Sequence, residues 1–270
     1  GIKPEQVKIN TLLAGGSFGR RANPHSDYII EAVDIARTLP GIPVKLVWSR
    51  EDDTRSGYFR PMYFHRIRAA LDSKGNPLAW EQRIVGQSVL AGTPFMGTGG
   101  KIDPTSVEGA STLPYQTPNL YVDLHTVDLG IPIQWWRSVG HTHTAFSTET
   151  FIDELAAAAK ADPVAYRRRL LAKHPRYLGV LNLAAQKAHW GSPLPKNRAR
   201  GVAVHKSFNT YVAQVAEISL DAQGGFSVEK VTCAVDCGIA INPDIIASQM
   251  EGSIGYGLSP ALMSQITIKQ

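Results

Sequence analysis

The chain has 270 residues, 43% hydrophobic and 19% charged, a balance that excludes intrinsic disorder and suffices for one large or two ordinary folded domains. No uncharged apolar run reaches the ~18 residues that would cross a bilayer, and no basic-then-apolar leader opens the chain. Twenty-eight basic against 23 acidic residues leave a net charge of +5, a mild excess that suits an anionic ligand but is too weak and scattered for nucleic acid.

The chain opens on Gly1 and reads as a mature product or an excised piece of something longer, so its localisation stays open. Val7 to Leu13 alternates as a strand into the Ala14-Gly15-Gly16 turn. After Pro24, apolar residues at Ile29, Ala32, Val33 and Ala36 have helical spacing, and Pro43 to Trp48 reads as a short strand. The acidic run Glu51-Asp52-Asp53 reads as a polar surface turn. Met62 to Leu71 and Leu78 to Val85 form a hairpin around Gly75-Asn76-Pro77.

Leu90 to Pro118, rich in Gly, Pro, Ser and Thr, reads as a long ordered loop, and Leu120 to Leu129 as a strand. From Thr144 to Trp190, Asp162-Pro163 and His174-Pro175 separate three helices. Arg167-Arg168-Arg169 on the second helix reads as a solvated face. Strand patterns follow over Gly201 to Phe208, Val212 to Leu220 and Phe226 to Val235, and Asn242-Pro243 starts a helix to about Met263. The mixture lacks regular βα alternation, which predicts an α+β fold of mixed β-sheets with packed helices in at least two lobes.

Two glycine clusters stand out. Gly15-Gly16-Ser17-Phe18-Gly19-Arg20-Arg21 bares its backbone to close approach and follows it with two cations. It lacks the spacing of a phosphate-loop NTPase or a dinucleotide-binding turn. Gly252, Gly255 and Gly257 would each cost a helix ~1 kcal/mol relative to alanine, which a closely approaching ligand would explain. Cys233 and Cys237 are the two cysteines, too few for a four-thiolate cluster, and read as buried free thiols.

The order of Gly15–Arg21, then Trp135-Trp136-Arg137-Ser138-Val139-Gly140, then Asp236-Cys237-Gly238 with Asn242-Pro243, then Gln249-Met250-Glu251-Gly252 resembles the molybdenum hydroxylases, the xanthine dehydrogenase and aldehyde oxidase family. Within it the chain is similar to the large, molybdopterin-binding subunit of the isoquinoline 1-oxidoreductase and bacterial aldehyde dehydrogenase branch. Two stretches carry that closer likeness, Trp135 to Phe146 and Arg200-Gly201-Val202-Ala203-Val204-His205 with Ser207-Phe208. The resemblance implies molybdenum held by molybdopterin cytosine dinucleotide, with no protein side chain as metal ligand. It implies a cofactor site built from Gly16, Ser17, Phe18, Gly19, Arg20, Arg137, Gln249, Gly252 and Gly255, with Gly257 also easing the helix's approach and Arg137 facing the substrate.

The implied reaction is hydroxylation of an N-heterocycle such as isoquinoline, or oxidation of an aldehyde, with oxygen from water. Electrons would pass to a small [2Fe–2S] partner subunit and onward to a cytochrome c subunit. The implied lobes are 1–140 and 199–270, flanking a helical segment 141–198. Departures from the family pattern bear on function. Neither the Gly-Glu-Pro that carries the family's general base nor its Gly-Gln-Gly turn occurs in this sequence. The chain is therefore read as the central part of a larger subunit, inactive by itself, with no confident catalytic residue of its own.

Rival readings are a non-catalytic scaffold with the same turns, and a zinc hydrolase built on His141-Thr142-His143. His205 reads as a core or cleft histidine, Glu251 as a helix partner, and Trp135 and Trp136 as either packing or substrate-stacking rings.

Overall fold

The computed structural model describes residues 2–96 and 102–267, so Gly97 to Lys101 of the glycine-rich loop lie outside the described residues. The chain divides into two discontinuous units, one of Gly1–Phe64, Ile84–Ser106 and Leu124–Thr142, the other of His65–Arg83, Val107–Asp123 and His143–Gln270. The architecture is α+β with two three-stranded sheets. Helices α1 (Asp27–Thr38) and α2 (Arg50–Arg55) precede β1 (Tyr63–Leu71) and β2 (Pro77–Gly86). After α3 (Pro104–Val107), β3 (Asn119–Thr126) completes the order β1-β2-β3.

The β1–β2 turn shows why the sequence punctuates there. Asp72 accepts hydrogen bonds from the Lys74 and Asn76 amides at 2.8 Å, and Gly75 takes φ +76°. A Cβ on Gly75 would also lie 2.6 Å from that of Ala159, so the position demands glycine twice over.

Helices α4 (His141–Ala158), α5 (Pro163–Leu170) and α6 (Pro175–Lys187) follow. The Asp162 side chain accepts from the Ala165 amide at 2.8 Å with Pro163 in the first turn, which is why α5 starts there. Strands β4 (Arg198–Ser207), β5 (Thr210–Leu220) and β6 (Phe226–Asp236) pair antiparallel in sequence order, and α6 packs on all three. The main apolar core belongs to the second unit, where Trp80, Ile152, Leu171, Leu181, Val204 and Val215 are almost wholly enclosed. Helix α7 (Pro243–Leu262) ends the fold with no buried residue.

Several expectations change. Val7–Leu13 and Pro43–Trp48 are not strands, because among the described residues neither finds a backbone to pair with. Residues 50–55 form a short helix rather than a turn, since Ser49 and Asp52 cap each other reciprocally. Of the arginine triplet only Arg168 and Arg169 are exposed. Arg167 is fully buried, its guanidinium bonded to Glu149 at 3.0 Å and Asp153 at 2.6 Å. The thiols of Cys233 and Cys237 are half-buried rather than enclosed.

Candidate functional site

In the first unit the two motif turns meet. Phe18 and Gly19 adopt φ 54° and 101°, reversing the chain after Ser17. An added Cβ at Gly19 would lie 2.5 Å from the Trp135 carbonyl oxygen, so the turns touch backbone to backbone. The Gln134 side-chain NH2 donates to the Gly19 carbonyl at 3.4 Å, and the Arg137 guanidinium lies 4.5 Å from the Phe18 ring centroid. Ser138 and the β-branched Val139 take φ 62° and 48°, costly geometry that persists only where the surroundings impose it. Part of that constraint is Thr142, whose hydroxyl donates to the Arg137 carbonyl at 3.1 Å and meets the Ser138 hydroxyl at 2.9 Å. Phe95 adds an edge-on ring 5.7 Å from Trp135.

The structure therefore brings Gly16, Ser17, Phe18, Gly19 and Arg137 together, as sequence order alone could not. The amides of Gly15 to Gly19 donate to no protein acceptor among the described residues, and a Cβ at Gly15 would meet nothing within 4 Å. Such bared N–H groups fit the oxygen-rich, anionic edge of a pterin dinucleotide. Arg20 is placed differently. Both its terminal nitrogens bond Asp27, at 3.0 and 2.6 Å, and the rings of Tyr28, Trp48 and Tyr58 surround it at 5.5 to 5.7 Å. Arg21 is exposed and is the more accessible cation for an anionic group.

In the second unit Gln249, Gly252, Gly255 and Gly257 lie on α7, whose first turn is capped by the Asn242 side chain at 3.1 Å from the Ile245 amide. A Cβ at any of these three glycines would meet nothing within 4 Å. Their faces are open, as close approach by a cofactor requires. Glu251 is exposed, and Glu217 is held by Arg198 at 2.8 Å and Arg200 at 3.0 Å, bonds that keep its carboxyl below the usual range.

The zinc reading loses its ligand. His143 Nδ1 is 2.9 Å from His65 Nε2, and no group of three or more His, Cys, Asp or Glu side chains converges among the described residues. The tautomers of that pair follow from their neighbours. The Gln82 carbonyl oxygen accepts from the Trp80 indole at 3.1 Å, which turns the Gln82 NH2 toward His65 Nδ1, also at 3.1 Å. His65 Nδ1 must then accept and His65 Nε2–H must donate to His143. Sequence reasoning missed this chain because its members lie 78 residues apart.

Burial lowers the His65 pKa from 6.5 to about 4. Below pH ~6.5 the unfolded chain binds a proton at this residue that the folded one refuses, so stability falls as pH drops and levels off below about 4. Urea unfolding midpoints should therefore decline between those limits, and His65→Asn should flatten that part of the profile. An unchanged profile in the variant would assign the acid lability to other groups.

Comparisons with known proteins bear on the same segments. Residues 1–171 and 139–270 each match a family described as molybdopterin cofactor-binding domain. In an alignment of 275 positions that takes in 99% of this chain, it is 32% identical to isoquinoline 1-oxidoreductase subunit beta of Brevundimonas diminuta, covering 35% of that protein. In an alignment of 302 positions that takes in 99% of this chain, it is 29% identical to the membrane-bound aldehyde dehydrogenase [pyrroloquinoline-quinone] of Gluconacetobacter polyoxogenes, covering 38% of it. It thus spans little more than a third of these relatives. Quinoline 2-oxidoreductase from Pseudomonas putida 86 shares the fold with a TM-score of 0.55 at 20% identity, over 79% of this chain and 32% of that one.

Proposed function

The chain belongs to the molybdenum hydroxylase family, and from that premise we propose that it is the cofactor-binding centre of a larger oxidoreductase subunit. In this reading the cofactor is the cytosine dinucleotide form of molybdenum–molybdopterin. The substrate is an N-heterocycle such as isoquinoline, or an aldehyde, as the names of the relatives suggest. The observation that carries the reading is the junction of the Phe18–Gly19 turn with the Arg137 turn. When bound, the cofactor supplies the two-electron oxidation of the substrate carbon and the site at which water-derived oxygen is used.

The chain's own residues bind and orient. The amides of Gly15 to Gly19 donate to anionic cofactor atoms, and Arg21 offers them a positive charge. Arg137, held over Phe18, presents a fixed cation to negative charge that develops on the substrate oxygen. Gln249 and the glycines of α7 contact the pterin side of the cofactor. The lobes 1–140 and 199–270 carry these two contact sets, with the helical segment 141–198 between them. The general base lies elsewhere in the subunit, so the 270-residue chain alone does not turn over. Electrons leave to a small [2Fe–2S] subunit and then to a cytochrome c subunit.

Metal analysis and acid hydrolysis of the whole enzyme test this directly. Molybdenum and cytidine monophosphate should appear in near-stoichiometric, equal amounts. A guanosine nucleotide in place of cytidine would overturn the cofactor form, absence of both metal and nucleotide would favour a non-catalytic scaffold, and turnover by the isolated chain would overturn its proposed inactivity.

A further inference from the structure

Arg137 stands at the head of a strained turn. Ser138 and Val139 follow it with φ 62° and 48°, two consecutive residues in the left-handed region, the second of them β-branched. Neither is glycine, asparagine or aspartate, the residues that enter this region at least cost. Such a turn opens unless its surroundings close it. Backbone bonds do part of this. The Val139 amide donates to the Trp136 carbonyl at 2.9 Å, the His141 amide to the Ser138 carbonyl at 2.9 Å and the Thr142 amide to the Val139 carbonyl at 3.4 Å.

Two hydroxyls hold the Arg137 carbonyl. Ser138 Oγ lies 2.7 Å from it, Thr142 Oγ1 lies 3.1 Å from it, and the hydroxyls lie 2.9 Å from each other. Each hydroxyl carries one hydrogen, and the triangle uses both, one donated to the carbonyl and the other between the hydroxyls. The two are not equivalent. Ser138 belongs to the same planar Arg137–Ser138 peptide as the carbonyl, so it turns whenever that plane turns. Thr142 reaches the carbonyl from the first turn of α4, five residues along the chain, and resists the rotation. The orientation of this peptide sets the direction in which the Arg137 side chain leaves the backbone, and so whether its guanidinium meets the Phe18 ring, 4.5 Å away.

We propose that Thr142 is a positioning residue for the reaction: its hydroxyl latches the Arg137–Ser138 peptide, which keeps the strained turn closed and the Arg137 guanidinium over Phe18. This rests on the role given above to Arg137 as the fixed cation that faces the substrate. Thr142 acts through Arg137 alone. Strain makes the latch sensitive, because Ser138 and Val139 gain by leaving the left-handed region, so loss of one hydroxyl releases the turn instead of merely loosening it.

Crystal structures of the whole enzyme, parent and Thr142→Val, test the latch, since valine keeps the branched shape of threonine without its hydroxyl. In the variant Val139 should move to negative φ and the guanidinium should leave the Phe18 ring. An unchanged turn in the variant, or a parent without the Thr142–Arg137 bond, overturns the proposal. Kinetics read the consequence. With isoquinoline or benzaldehyde as substrate, Thr142→Val should lower kcat per bound molybdenum about tenfold with KM nearly unchanged, less than the roughly hundredfold of a 1 Å displacement. Thr142→Ser restores the hydroxyl and should recover most of the loss. A fall in molybdenum content with parent-like kcat per molybdenum would make Thr142 structural only and overturn its positioning role. Arg137→Met keeps the two readings apart. Parent-like kcat per molybdenum in that variant would remove the role of Arg137 on which the proposal rests, whereas loss in Arg137→Met without loss in Thr142→Val would overturn the latch alone. A parent that oxidises neither substrate would fail the proposed function, and the crystal structures would still decide the latch.

Discussion

Arg167→Met should destabilise the protein by about 3–5 kcal/mol, the range for removing one partner of a buried ion pair. Arg167 is fully buried, and its guanidinium bonds the Glu149 carboxylate, the Glu149 carbonyl and Asp153. Glu149 also accepts from the Tyr115 hydroxyl at 2.5 Å and the Val204 amide at 2.8 Å, so it ties α4 to β4. Without the arginine those two neutral donors face a buried carboxylate alone. Burial already pushes the Glu149 carboxyl up, and Arg167 is the first of the contacts opposing it.

The loss carries a pH signature. In Arg167→Met the folded state holds a proton on Glu149 that the unfolded state releases, so stability should fall as pH rises above the ordinary carboxylate range, more steeply than in the parent. Urea midpoints across that rise in pH measure both effects. A further change, Glu149→Leu, should recover part of the loss, because the stranded charge goes with it. A drop under ~1 kcal/mol in the single variant would mean that water reaches the carboxylate.

Gly19→Val should lower kcat/KM by roughly a hundredfold while sparing most of the fold. A valine at φ 101° is strained, and its Cβ would sit 2.5 Å from the Trp135 carbonyl oxygen, a backbone atom that cannot swing aside. The Phe18 turn and the Arg137 turn must therefore part. Displacement of about 1 Å at such a junction costs on the order of a hundredfold in kcat/KM, and molybdenum content of the purified enzyme should fall with it. Gly15→Ala is the control. It adds a methyl where nothing lies within 4 Å, and should retain metal. Parent-like kcat/KM in Gly19→Val would remove this junction from the site.

Local rules made much of this protein legible. Asp162-Pro163 and Asn242-Pro243 start helices because a capping oxygen and a fixed φ act within one turn. The β1–β2 turn is legible for the same reason, and the family follows from motifs whose order survives in any linear reading. Arg167 was not legible. A triplet of arginines on a helix looks solvated, and only the packing of α4 against α5 encloses one of the three with two carboxylates.

The sequence by itself determined the longer helices, the sheet strands that found partners, the glycine turns and the family, since each depends on neighbours within a few residues or on motif order. Tertiary structure decided which distant turns meet, that Arg20 serves Asp27 rather than facing outward, and that His143 joins His65 instead of a metal. It also decided that Val7–Leu13 and Pro43–Trp48, for all their alternation, are not strands among the described residues. Alternation fixes which side chains share a face, but a strand exists only where a second backbone completes its hydrogen bonds, and that partner is set by the fold rather than by the segment.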